Sequence, residues 1–227
     1  MRSDNTNGNN ARSCGVLMPV FSLPSKYGIG SFGKWAYRFV DCLKNAGQTY
    51  WQMLPLVMTG YGDSPYQTVC DASGNPYFID LEILRDKKLL TYREVESAIE
   101  KGDKIDYDRL ARERYPLLRK AFSRFDKNGK AFKAFLSEGK FRDFALFMAL
   151  CEKFGLDWTR WNDEFKYRDE AALAAFEKDN SDEVLFWQFL QFEFKNQYFA
   201  LKKYANKKGV YIIGDLPLYV SLYSSDV

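Results

Sequence analysis

Apolar and polar positions follow two alternating patterns along the chain. Three short runs, residues 14–21, 50–56 and 210–215, are nearly continuously apolar, which predicts parallel strands buried on both faces. Between them the period is helical. Trp35, Phe39, Leu43 and Ala46 recur every three or four residues, with Ser31 suited to the N-cap and Gly47 to the C-terminal cap. The first two runs are separated by about the ~30 residues that a right-handed βαβ unit takes. From residue 83 to 179 the chain is charged and helical in pattern, with helices expected over 92–99, 107–125, 130–136 and 141–154. Phe144, Met148 and Cys151 form one stripe there, and with Trp158 and Trp161 they suit core or interface packing. Residues 182–208 read as one long helix closed by Gly209, whose stripe Phe186, Leu190, Phe194, Tyr198, Leu201 and Ala205 is expected to lie on a sheet.

The second run ends in Gly60-Tyr61-Gly62-Asp63-Ser64-Pro65-Tyr66-Gln67. Gly60 and Gly62 open backbone conformations closed to other residues, and Pro65 fixes its own φ, so the loop is expected to be rigid. Its tyrosines offer flat apolar faces with polar tips. Asp63, Ser64 and Gln67 add hydrogen-bonding groups, a combination that suits a sugar ring better than a lipid or a phosphate. A surface turn covering the core has the same composition, but the loop leaves the C-terminal end of a parallel strand, where α/β proteins place ligands. Residues 71–82 continue it through a Gly-Asn-Pro turn and could form its second wall. The third run ends in Asp215, the best-placed carboxylate of the chain, although an acid capping a following helix would look the same. Gly28 and Gly30 read as turn glycines: no Lys-Ser, Lys-Thr or Gly-x-Gly-x-x-Gly accompanies them to make a phosphate loop.

Composition narrows the chemistry. Hydrophobic residues at 46% and charged residues at 28% exclude disorder, and the 17% aromatic share is high. The 33 basic and 30 acidic residues are interspersed, so neither nucleic acid nor a membrane surface is favoured as a partner. With no histidine there is no Ser-His-Asp triad, Cys-His dyad or zinc site of ordinary spacing, and chemistry must rest on carboxylates. Cys14, Cys42, Cys70 and Cys151 lie far apart and suit reduced, structural thiols. Residues 1–13 are a polar tail with no apolar signal segment, which points to the cytoplasm. No motif implies a metal or an organic cofactor.

Several motifs in order carry a resemblance: Ser22-Leu23-Pro24 with Tyr27-Gly28-Ile29-Gly30; Tyr50-Trp51-Gln52 with Leu54-Pro55-Leu56; residues 60–67; Gly74-Asn75-Pro76-Tyr77 with Ile79-Asp80-Leu81; and Ile213-Gly214-Asp215 with Pro217. Together they resemble the N-terminal part of the 4-α-glucanotransferases (amylomaltases, disproportionating enzymes). The resemblance implies a (β/α)8 TIM barrel with helical insertions. It also implies transfer of α-1,4-glucan segments from a glucan donor to a sugar acceptor by a retaining double displacement between two carboxyl groups. On the residues that match, Tyr66 and Ser64 resemble glucan contacts in the active cleft, with Asp63 beside them. Asp215 resembles the active-site aspartate at the end of the third strand, a supporting group and not the nucleophile. Tyr61 resembles an aromatic platform of a secondary glucan site, with Tyr107 as its partner.

The family's nucleophile motif, Arg-x-Asp-His, and its acid/base glutamate have no counterpart here. The expected organisation is therefore a tail (1–13), a first barrel part with the glucan loop (14–82), a helical insertion between strands 2 and 3 (83–180), and a barrel helix with the third strand (181–227). Such an N-terminal fragment is expected to be inactive alone, with an open sheet edge and exposed apolar surface. Two other readings remain: a non-catalytic glucan-binding module using Tyr61, Tyr66 and Asp63, and a complete glycosidase pairing Asp63 with Asp215.

Overall fold

A computed structural model describes residues 12–227 apart from 101 and 103. The expected tail, 1–13, lies almost wholly outside the described residues. Strands β1 (Gly15–Leu17), β2 (Tyr50–Gln52) and β3 (Tyr211–Ile213) form one parallel sheet in the order β1-β2-β3. Val16, Trp51 and Ile212 stand in register. All three strands are shorter than the apolar runs that signalled them. Pro19 lies two residues past β1 and starts a 3-10 turn, Val20–Ser22, while Pro55 follows β2 closely.

Burial on both faces does not hold. The row Val16, Trp51, Ile212 faces the helices, and Trp51 is fully buried with its indole N–H donating to the Met18 carbonyl at 2.8 Å. Residues one step along a strand point the other way. On that face Leu17, Tyr211 and Ile213 are 52%, 53% and 43% exposed, because no described residues cover it.

Helix α1 (Lys34–Asn45) joins β1 to β2. Its buried side is Ala36, Val40 and Leu43, while Trp35 is exposed, with the Arg38 guanidinium 4.7 Å from its ring centre. The sequence stripe was thus displaced by about one position, since Trp35 is large and apolar without being inward. The helix begins at Lys34 after Gly33, so Ser31 is no cap. Its hydroxyl donates instead to Asp80 Oδ2 at 2.7 Å. Gly47, at φ +70, ends the helix as expected.

Between β2 and β3 lie α2 (Leu81–Asp86), α3 (Tyr92–Ser97), α4 (Tyr107–Arg124), α5 (Lys130–Ser137), α6 (Arg142–Phe154), α7 (Asp163–Lys166), α8 (Glu170–Asp179) and α9 (Ser181–Lys207). The four expected insertion helices are present within two residues at each end. Asp80 starts α2 by accepting from the Ile83 amide, and Thr91 with Glu94 forms a capping box on α3. Helix α9 has 27 residues, about 40 Å of axis, and it spans two cores. Its first half, with Phe186, Phe189 and Leu190, packs within the helical insertion, and its second half, with Leu201 and Ala205, packs under the sheet. The expectation that the whole stripe lies on the sheet holds only for the second half. Phe32 sits where the parts meet, fully buried and 5.2–5.9 Å from the rings of Phe78, Phe194 and Tyr198.

Candidate functional site

Parallel pairing puts the ends of all three strands on one edge, and the amides that follow tie them together there. Met18 N–H donates to the Gln52 carbonyl and Met53 N–H to the Ile213 carbonyl, both at 2.9 Å. From this edge the chain leaves β2 into the loop 60–67 and leaves β3 at Asp215. Two bridges hold the loop's stem, Thr59 with Thr68 and Val57 with Gly74. Within the loop, Gly60 N–H donates to the Gln67 carbonyl at 2.5 Å and Gln67 N–H to the Ser64 carbonyl at 3.2 Å. Gly62 and Asp63 both lie in the left-handed region, at φ +70 and +57. Aspartate is among the few side chains that tolerate it. Backbone hydrogen bonds thus close the loop on itself. The hydroxyl oxygen of Ser64 accepts from the Tyr66 amide at 3.3 Å, a bond within the loop.

That turn aims Tyr66 at the end of β3. Its hydroxyl donates to Asp215 Oδ2 at 2.7 Å, across 149 positions of sequence. Both groups remain reachable, Tyr66 being 44% exposed and Asp215 half-buried. The hydrogen bond to the carboxylate, reinforced by burial and by the Asp215 charge, raises the Tyr66 phenol above its ordinary value, so it stays a donor at neutral pH. One Asp215 oxygen takes the phenol, and the carboxylate keeps lone pairs for a ligand's hydroxyl groups.

Asp63 belongs to a different cluster. It lines a cavity of about 170 Å³ with Asn75, Tyr77, Tyr107, Asp108 and Tyr115, between the loop and the start of α4. Burial and the neighbouring Asp108 raise its pKa. Burial, then the Asp63 charge, pushes the Tyr77 phenol up to about 12, and the same two causes raise Tyr107. The rings of Tyr77 and Tyr107 are 6.2 Å apart. The Tyr61 backbone begins a 3-10 turn, while its side chain lies outside the described residues. Six candidate residues thus divide: Tyr66 and Asp215 meet, Asp63 and Tyr107 share a second cavity, Ser64 braces the loop, and Tyr61 is undescribed. Asn75, Tyr77 and Asp108 were not singled out as site residues, although the Gly-Asn-Pro-Tyr motif marked the first two.

Of the expected second wall, 71–82, Asn75 and Tyr77 line the cavity opposite Asp63. Asn75 is buried and its side chain accepts from the Tyr77 amide, opening the 3-10 turn Pro76–Phe78. Asn75 N–H donates to the Leu56 carbonyl at 2.8 Å. No group of three or more aspartate, glutamate or cysteine side chains among the described residues is arranged to hold a metal ion. None of the described helices is long and apolar enough to cross a membrane.

An exposed tyrosine bonded to a strand-end aspartate thus lies on the C-terminal edge of a parallel sheet in an α/β protein, the edge where such folds place their ligands. Comparison with known proteins makes this particular. The sequence pattern of the 4-alpha-glucanotransferase family matches residues 18–227. A 4-alpha-glucanotransferase of Clostridium butyricum is 45% identical over 216 residues, covering 92% of this chain and 44% of the relative. One from Streptococcus pneumoniae is 42% identical over 224 residues, covering 95% and 44%. The solved amylomaltase of Streptococcus agalactiae in complex with acarbose superposes with a TM-score of 0.89 at 39% identity, over 95% of this chain and 45% of that one. The chain belongs to the 4-alpha-glucanotransferase family. It spans about 44% of the length of these curated relatives, matching their N-terminal part.

Proposed function

We propose that this chain is the N-terminal part of a cytoplasmic 4-α-glucanotransferase and supplies one wall of its glucan cleft. The observation that carries the reading is the Tyr66–Asp215 hydrogen bond at the C-terminal edge of the sheet. In this reading β1, β2 and β3 are the first strands of a (β/α)8 barrel, and their uncovered face, with Leu17, Tyr211 and Ile213, is the lining of its interior. The insertion then lies between the second and third barrel strands.

The whole protein transfers α-1,4-glucan segments to a sugar acceptor with retention of configuration. A carboxylate attacks the anomeric carbon while a second carboxyl group protonates the leaving oxygen, and the acceptor hydroxyl, giving its proton back to that second group, then displaces the enzyme carboxylate. These 227 residues hold no histidine, so the Arg-x-Asp-His nucleophile motif belongs to the remaining length of the protein. What this wall does is orient the donor. The Tyr66 ring offers an apolar face to one glucosyl unit, and Asp215 accepts from its hydroxyls while Tyr66 holds the carboxylate in place. Asp63 and Tyr107, which line one cavity, border a secondary glucan site beside the insertion. Asp63 and Asp215 sit in separate clusters, which disfavours the glycosidase pair.

One wall alone binds weakly, with a Kd of about 1 mM, equivalent to about −4 kcal/mol. Titrating maltoheptaose into the 227-residue chain, with tyrosine rings observed by NMR, is expected to shift Tyr66 saturably in that range. Tyr66 resonances that stay fixed up to about 10 mM would count against the cleft assignment.

A further inference from the structure

Gly74 sits beneath the binding loop with an unusual partner. Its antiparallel bridge to Val57 is flanked by the hydrogen bond from Asn75 N–H to the Leu56 carbonyl. That pattern turns the N–H and C=O of Gly74 itself away from Val57. Both are met by one side chain of α9: Gly74 N–H donates to Gln191 Oε1 at 2.6 Å, and Gln191 Nε2 donates to the Gly74 carbonyl at 3.0 Å. The amide stands in for the next strand of the ladder. Gln191 is 1% exposed, so no water replaces it. A Cβ on Gly74 would fall 2.2–2.4 Å from the Phe194 ring, so the strip lies hard against α9.

We infer that Gln191 is a positioning residue for the Tyr66–Asp215 pair. The route is short and physical. Gln191 fixes Gly74, Gly74 fixes Val57 at the loop's stem, and the Thr59–Thr68 bridge and the Gly60–Gln67 hydrogen bond carry that placement to Tyr66. Without the clamp, two buried backbone groups lose their partners and the stem drifts from α9. Tyr66 must then reach Asp215 from a stem that is no longer held. The inference rests on the glucan reading only for its consequence in function, since the placement of Tyr66 is measurable without ligand.

The test is Gln191→Met, which keeps the side chain's length and removes both hydrogen bonds. The readout is the Cζ resonance of Tyr66, which follows the phenol's titration. In the native protein Tyr66 is expected to titrate above ordinary tyrosine. In Gln191→Met it falls back toward the ordinary value, whereas in Leu201→Ala, a destabilising change under the sheet on the same helix, it stays raised. Identical Tyr66 titration in the native and Gln191→Met proteins overturns the inference. Should Gln191→Met not fold, exchange of the Gly74 amide in the native protein decides: the clamp predicts protection of about 10²-fold or more over unstructured chain, and exchange at the unstructured rate overturns it. If Tyr66 responds to Gln191→Met but maltoheptaose binds neither protein, the clamp stands and the glucan reading fails.

Discussion

Phe32→Ala is expected to lower the stability of this chain by about 3–5 kcal/mol, the cost of emptying a fully buried phenylalanine site. Phe32 has no exposed surface, and three rings from two separate segments surround it: Phe78 of the 3-10 turn, and Phe194 and Tyr198 of α9. Its amide also donates to the Phe78 carbonyl at 3.0 Å. The site cannot collapse easily, because Asp80 lies against Gly33 on one side and the Phe194 ring lies against Gly74 on the other. Typical domains have about 5–15 kcal/mol in total, so the loss is a large share. In urea, with an m-value near the upper end of about 1–3 kcal/mol/M, the midpoint should fall by about 1 M or more. A shift under about 0.3 M would show that the junction repacks, contrary to its crowding.

The second large effect concerns Asp215 in the longer protein. Asp215→Asn preserves size and still accepts from Tyr66, but it removes the charge. Transfer is expected to drop by about 10²-fold or more, the usual scale for losing one preorganised electrostatic partner. Tyr66→Phe keeps the ring and loses only the donor, so its effect should be smaller. The double variant should fall short of the product of the two, because the groups touch and act together. Measured kcat/KM on maltotriose checks both. Retention of more than about half the activity in Asp215→Asn would remove Asp215 from the site.

Particular elements show what local pattern could reveal. Helices α4, α6 and α9 were legible because their apolar residues repeat at a helical period. The four-residue α7 offered too few turns to show one, and the ten-residue α8 buries only Phe176, so no apolar stripe marks it. Trp35 misled because periodicity marks a face without saying whether anything covers it. The strands misled for a related reason: a run such as Tyr211–Ile213 encodes a strand covered on both sides, and the described residues cover only one. At the site, residue types pointed to Tyr66 and Asp215, and strand direction put both on one edge. Their contact spans 149 positions and needed the sheet order to be seen. Gln191 gave no signal at all, since a buried glutamine in an apolar stripe looks like an ordinary helix residue until its partner, 117 positions away, is known.

The most direct measurement is the fate of maltotriose incubated with the protein at the full length of its relatives, beside the 227-residue chain alone. The longer protein is expected to produce glucose together with maltodextrins longer than maltotriose, and the shorter chain to leave maltotriose unchanged. Glucose without longer products from the longer protein, or transfer by the 227-residue chain by itself, would contradict the account.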